Sequence, residues 1–314
     1  MLTNKTQNSK VEMLTSIEQF KYSTFHDSEL RSLFNSLKIL SPVNNTDSIL
    51  PQVFALFDEV VNRRLGKWKI FNPEFRSKYF SKYSDIAEYI LKNDLHRLSQ
   101  GYSNKSDLVE FETCAQILEP YFSKIDLDSS EMVIVTAIVY VSEIRKFNKE
   151  WQINLPSSFY QSIPLKDIDD ELSFCLTEEQ FMAGRLMFNN CVVQMNAGEG
   201  KTISCALTAT LNATLGKNVH VITSNDYLAL RDANWLAPVY EFLGFNVKVI
   251  LNHMIDAERK NAYAAEIVYA TIREIGFDFL RDNLRFSKKD MVQASFEVVI
   301  VDEADQVMID EAST

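Results

Sequence analysis

One stretch constrains this 314-residue chain more than any other: Met195-Asn196-Ala197-Gly198-Glu199-Gly200-Lys201-Thr202. A β-branched run, Cys191–Gln194, leads into it, and a segment of helical period, Lys201–Leu215, leads out. A strand that turns through glycines into a helix aims backbone N–H groups and the positive helix end at an anion. Gly198 and Gly200 let the backbone close on phosphate oxygens, with Glu199 between them. Lys201 has the reach for the β- and γ-phosphates of ATP, and the Thr202 hydroxyl is a natural ligand for Mg²⁺. Met195 stands where the GxxxxGK[ST] pattern has its first glycine.

The residues that follow alternate. Short β-branched runs lie at Cys191–Gln194, Val219–Thr223, Val247–Ile250, Ile267–Ala270 and Val298–Val301. Helical segments fall between them, at Lys201–Leu215, Asp226–Leu243, Asp256–Ala264 and Arg273–Asn283. This order predicts an α/β fold, a RecA-like parallel sheet of five strands with flanking helices on both faces, of the P-loop nucleotide-hydrolase class. The last run ends in Asp302-Glu303-Ala304-Asp305. A buried strand ending in carboxylates is where such a sheet holds its metal. Asp302 is the expected Mg²⁺ ligand beside Thr202, and Glu303 the expected catalytic residue that orients or deprotonates water. Gln180 precedes the loop, where helicase-like ATPases read adenine with an amide that donates and accepts at once. The loop fits the helicase-like variant, in which the glycines cluster at the lysine.

The first half is punctuated differently. Only Gly66 and Gly101 of eight glycines precede residue 184, whereas six of seven prolines precede residue 165. Apolar residues recur at helical spacing from Ile49 to Val61, with Gly66 as a stop, from Tyr83 to Leu95, and from Leu108 to Leu118 before Pro120. Met132–Ile144 is apolar nearly all round, and its period does not separate a buried helix from a buried strand. The chain therefore reads as a mostly α-helical region over 1–175 and a nucleotide-binding domain over 176–314. The acidic run Asp167 to Glu171 reads as a solvated linker or helix start.

With 32 Lys and Arg against 43 Asp and Glu, the net charge is −11, which disfavours a nucleic-acid partner. Cys114, Cys175, Cys191 and Cys205 have neither CxxC spacing nor a histidine pair, which argues against zinc and for a reducing compartment. The start is polar and lacks the apolar core of a signal peptide, and the apolar stretch Met132–Val141 is far short of the roughly 20 residues that span a bilayer. These readings place the chain in the cytoplasm, or at a membrane surface as a peripheral protein. His220, mid-strand, reads as a core histidine.

Val219-His220-Val221-Ile222-Thr223-Ser224-Asn225-Asp226-Tyr227-Leu228-Ala229-Leu230-Arg231-Asp232, between the glycine turn and the acidic strand end, is similar to the segment VHVVTVNDYLAxRD of the SecA family of preprotein translocase ATPases, and the second half resembles the first nucleotide-binding domain of that family. Tyr240–Gly244 matches its YEFLG, Gly276–Leu284 resembles its GFDYLRDNM, and Val301–Thr314 resembles its VDEVDSILIDEART. A weaker likeness to LPEAFALVREAxxRxLG covers Leu50–Gly66, which makes about 67–175 look like a helical insertion without a family counterpart.

The resemblance implies an ATP-driven motor domain that works with an unfolded preprotein and a membrane translocation channel. It also adds Arg231 to the nucleotide cleft, with Asp232, beside the alternative of a salt bridge on the helix surface, and gives Arg281 and Asp282 the same two readings. Asn196 and Ala197 replace the family's Lys and Thr, Thr177 replaces an aromatic residue before Gln180, and Ile272-Arg273 replaces a polar pair. The second ATPase domain, which carries the arginine finger, has no counterpart here, so ATPase activity is expected only with a second nucleotide-binding domain or chain. Two other readings stand beside this one: a non-catalytic, nucleotide-dependent interaction protein, and a nucleic-acid helicase fragment. Five strands with an exposed edge also predict aggregation or dependence on a partner.

Overall fold

The computed structural model describes residues 12–40, 46–72, 78–101, 111–146, 148–163, 172–293 and 295–311. By internal packing the chain divides into two units. One comprises Met1–Phe20, Arg31–Asp58 and Leu176–Thr314, and the other Lys21–Leu30 and Glu59–Cys175. The acidic run at 167–171 lies outside the described residues.

Helices of the first half are α1 (Asp27–Leu40), α2 (Thr46–Val61), α3 (Lys78–Gly101), α4 (Phe111–Phe122), α5 (Ser129–Ile144) and α6 (Ser157–Ser162). A π turn, Asn62–Gly66, and a 3₁₀ turn, Lys67–Phe71, follow α2. The ambiguous apolar stretch is helical. Asp128 accepts from the Glu131 N–H at 2.8 Å, and Glu131 accepts from the Asp128 N–H at 3.0 Å. This capping box starts α5, and helical neighbours then bury nearly its whole circumference. Pro120 does not stop α4, which runs on to Phe122. It sits in the last turn, where it removes one N–H bond to the preceding turn and the helix ends two residues later.

The core of the helical unit joins Ile90, Leu118, Val135, Val139 and Phe159 to an aromatic run. Trp68 and Phe71 meet at 4.8 Å, Phe71 and Phe159 at 5.4 Å, and Phe159 and Tyr160 at 5.0 Å. A buried polar knot lies beside it. The Asp27 carboxylate accepts from Arg63 at 2.9 Å, Arg64 at 3.1 Å, the Tyr160 hydroxyl at 2.9 Å and the Leu155 N–H at 3.0 Å.

The α/β unit contains α7 (Glu178–Phe188), α8 (Lys201–Thr214), β1 (Val219–Thr223), α9 (Asp226–Phe242), β2 (Val247–Val249), α10 (Asp256–Tyr263), β3 (Ile267–Thr271), α11 (Ile272–Asn283), β4 (Val298–Val301) and α12 (Ala304–Gln306). Its sheet is parallel throughout, in the order β2-β3-β1-β4. Val219 lies opposite Ile267 on one side and Val298 on the other. The central strands β1 and β3 are buried along their whole length, as apolar parallel strands require. His220 is buried in β1 and stacks on Phe296 at 5.0 Å.

The sheet corrects the expectation of five strands. Cys191–Gln194 forms no ladder among the described residues, and Val192 is 98% exposed. Among the described residues β4 pairs with β1 alone, and the loop's leading segment, which has the residues of a strand, does not join its open edge. Coverage of both faces holds for the two central strands and fails at β4, where Val299 and Val301 are exposed.

Candidate functional site

The site is assembled at the carboxyl ends of β1 and β4 and at the start of α8. Gly198 (φ 86°) and Gly200 (φ 81°) turn the chain in the left-handed region, which glycine enters without strain. Gly200 is the N-cap of α8, so the free N–H groups of that helix open toward the turn. Lys201 and Thr202 are its first residues, while Ile203 to Thr214 are buried and anchor it. Glu199 braces the turn from within, accepting from the Asn196 N–H at 2.7 Å and its side-chain amide at 2.6 Å. These bonds hold the Glu199 carboxyl below the usual carboxylate range.

Gln180 is tied to the same turn. Thr177 caps α7 by accepting from the Gln180 N–H, and Gln180 returns the bond by accepting from the Thr177 N–H at 3.0 Å. Its side-chain nitrogen donates to the Glu199 carbonyl at 2.9 Å. One amide hydrogen and one lone pair are left for an outside ligand.

The opposite wall comes from β4 and α9. The Asp302 N–H donates to the Ile222 carbonyl at 2.9 Å, which carries the β1 ladder one residue past β4. Asp302 then accepts from the Glu303 N–H at 2.9 Å. Glu303 has a positive φ of 53°, a conformation that costs a non-glycine residue about 1–3 kcal/mol and that surrounding bonds must hold. Ser224 supplies one, donating to Glu303 Oε2 at 2.7 Å. On α9, Arg231 pairs with Asp232 at 2.7 Å; the arginine side chain is half exposed and the aspartate buried.

These residues surround one cavity of about 380 Å³, lined by Gly198, Gly200, Lys201, Thr202, Asp302 and Glu303, with Thr223, Leu228, Arg231 and Asp232 closing it. Its acids are electrically strained. Burial raises the Asp302 carboxyl above its ordinary range, and the charges of Glu303 and Asp232 push the same way. Asp232 is raised as well, first by burial, against the opposing effect of Arg231. A divalent cation between Asp302 and the Thr202 hydroxyl would relieve both, and two left-handed glycines offer a cradle of N–H groups for phosphate. The residues present thus fit a magnesium nucleotide.

Of the expected site residues, Gly198, Gly200, Lys201, Thr202, Arg231, Asp302 and Glu303 line the cavity, while Gln180 and Glu199 brace its floor. Arg281 and Asp282 do not line it. Arg281 pairs with Asp278 at 3.0 Å, and Asp282 accepts from the N–H groups of Val292 and Gln293. Ser224 escaped the sequence reading, since its partner lies 79 residues on; a polar residue at a strand end facing an acidic strand end was the available signal.

Fold and cavity are those of the P-loop class of α/β proteins. A family model described as SecA DEAD-like domain matches residues 130–314, more than half of the sequence, and the chain belongs to that family. The protein translocase subunit SecA of Wolbachia sp. subsp. Brugia malayi is 51% identical over 135 residues, which cover 43% of this chain and 16% of that protein. The Ehrlichia chaffeensis subunit of the same name is 37% identical over 214 residues, 68% of this chain and 24% of its own length. That of Neorickettsia sennetsu is 43% identical over 184 residues, 55% of this chain and 22% of its own. The chain thus spans a quarter or less of the length of these relatives. Among the described residues no helix is long and apolar enough to cross a membrane.

Proposed function

We propose that the chain binds ATP with Mg²⁺ in this cavity and is the first nucleotide-binding part of a protein-translocating ATPase. The observation that carries the reading is the convergence of the glycine turn, Lys201, Thr202, Asp302 and Glu303 on one cavity. The N–H groups of the turn and of the α8 start receive the phosphate oxygens, and Lys201 neutralises the β- and γ-phosphates. Thr202 and Asp302 hold Mg²⁺, which when bound offsets charge on the phosphates. Glu303 accepts the proton of a water whose oxygen bonds to the γ-phosphorus as the bond to the β–γ bridging oxygen breaks, leaving ADP and phosphate. Arg231 adds positive charge on the α9 side, and Gln180 offers its remaining hydrogen and lone pair to adenine.

The relatives' printed name, protein translocase subunit, supports placing this chemistry in protein transport. On that reading the partners are an unfolded preprotein, a membrane channel met from the cytoplasmic side, and a second ATPase domain or chain that completes the γ-phosphate site. The nucleotide-binding part is residues 176–314.

Titration of a fluorescent ATP analogue with Mg²⁺ into the wild type and Lys201→Ala, with phosphate release followed in the same samples, tests the reading. Lys201→Ala should weaken binding by about 10- to 100-fold, as loss of a charged hydrogen-bond donor does. A folded wild type that binds no nucleotide would sink it.

A further inference from the structure

Glu303 stands at the end of β4 with a left-handed backbone, and its carboxylate is held by a single side chain among the described residues, Ser224. Ser224 follows directly on β1, the strand beside β4. Its hydroxyl has a defined direction. Asn225, the N-cap of α9, accepts from the Leu228 N–H at 2.9 Å through its side-chain oxygen, which turns its amide nitrogen toward Ser224 Oγ at 3.4 Å. An oxygen that receives from Asn225 has its own hydrogen free for Glu303 Oε2, at 2.7 Å. The relay therefore runs from the start of α9 through Asn225 and Ser224 to the carboxylate. It engages Oε2 and leaves Oε1 without a hydrogen bond among the described residues, on a side chain that lines the cavity.

We propose that Ser224 is a positioning residue that sets the Glu303 carboxylate for the attacking water. The proposal rests on the nucleotide reading above and deepens it. A carboxylate on a strained backbone samples several rotamers unless it is restrained, and only the transition state, which contains the water, needs one of them. The phosphate contacts of the ground state come from the turn, Lys201 and Thr202. Loss of the hydroxyl should therefore weaken the complex that mimics transfer to water and spare the complex that mimics bound ATP.

The test compares affinity for Mg·ADP·AlF₄⁻, which includes the in-line water, with affinity for Mg·ADP·BeF₃⁻, which resembles the ground state, in wild type, Ser224→Ala, Ser224→Val and Ser224→Thr. Thermal melting of each variant checks its fold. Ser224→Ala and Ser224→Val should lose about tenfold in AlF₄⁻ affinity, the worth of one hydrogen bond to a charged group, with BeF₃⁻ affinity unchanged. Ser224→Thr, which keeps the hydroxyl, should retain the wild-type preference. Equal losses with both analogues would make Ser224 merely structural, and no loss with either, or a wild type without any preference for AlF₄⁻, would overturn the proposal. A wild type that binds neither analogue would instead fail at the nucleotide reading itself and take the proposal with it.

Discussion

The side-chain nitrogen of Gln180 donates to the Glu199 carbonyl at 2.9 Å, and a Cβ placed on Gly200 would come within 2.3 Å of that nitrogen. Gly200 is thus required twice, for its left-handed φ of 81° and for the space Gln180 fills. Gly198 shares the conformation but has open space around it. Both alanine variants carry a backbone penalty of about 1–3 kcal/mol, and Gly200→Ala must also displace Gln180 from the turn. ATP affinity should fall at least about tenfold in Gly200→Ala, and by less in Gly198→Ala. Adding Gln180→Ala to Gly200→Ala should recover part of the loss. Equal losses at the two glycines, with no recovery, would remove Gln180 from the argument.

Asp302 is held at a cost to the fold. Its folded-state carboxyl titrates above the unfolded value because burial, Glu303 and Asp232 all disfavour the charge. The sign follows. Below the unfolded pKa the group is protonated in both states and carries no penalty, and as pH rises through the raised folded value the ionised form destabilises the fold. Asp302→Asn should therefore melt at a higher temperature than wild type at pH 8, with the difference closing as pH falls through the raised value. The same variant should lose Mg²⁺-dependent nucleotide affinity, the trade expected where a site keeps uncompensated charge for a cation. A melting difference that does not change with pH would show that the charge is not its source.

The Asp27 knot makes a stability prediction in the helical unit. Asp27 and Arg63 are fully buried, and the carboxylate holds Arg63, Arg64, Tyr160 and the Leu155 N–H together. Removing one member of a buried ion pair leaves the other charge uncompensated, typically at about 3–5 kcal/mol. Asp27→Ala should lose that much in a urea titration read by tryptophan emission, in which Trp68 and Trp151 report the helical unit and Trp235 the other. Replacement of exposed Glu88, which pairs with Lys92 on the surface, should leave the unfolding midpoint nearly unchanged. Similar small losses in both would mean that Arg63 is satisfied by Glu59 and the carbonyls of Tyr22 and Phe25 alone.

What could be read from sequence was what neighbours along the chain decide. The runs at β1 and β3, the glycine turn and the acidic end of β4 are local patterns, and each fell within a residue or so of its place. Cys191–Gln194 was not legible, because a strand needs a partner and its own residues do not reveal whether a neighbouring strand will line up with it. Nor did local pattern show that Ser224 meets Glu303, or that Asp27 meets Arg63, since tertiary packing makes those contacts. Met132–Ile144 was ambiguous by period, yet the Asp128 and Glu131 pair that starts its helix stood in plain sequence.

The outer side of β4 carries the last prediction. Val299 is 51% and Val301 41% exposed on one face of a strand that, among the described residues, has a neighbour on one side only. Val192 adds an apolar side chain, 98% exposed, on the unpaired segment before the loop. Edge strands with unpaired backbone groups and apolar side chains recruit other chains, and a single lysine is a common natural deterrent. Val299→Lys should lower the light scattering of concentrated samples, and more so than a lysine at Ile255, an exposed apolar residue outside the sheet. Its affinity for ATP should match wild type, because Val299 does not line the cavity. Val301 stands next to Asp302, so its replacement would mix the two effects. Equal solubilisation by both lysines would reduce the result to added charge. A gain confined to Val299→Lys would locate self-association at the β4 edge.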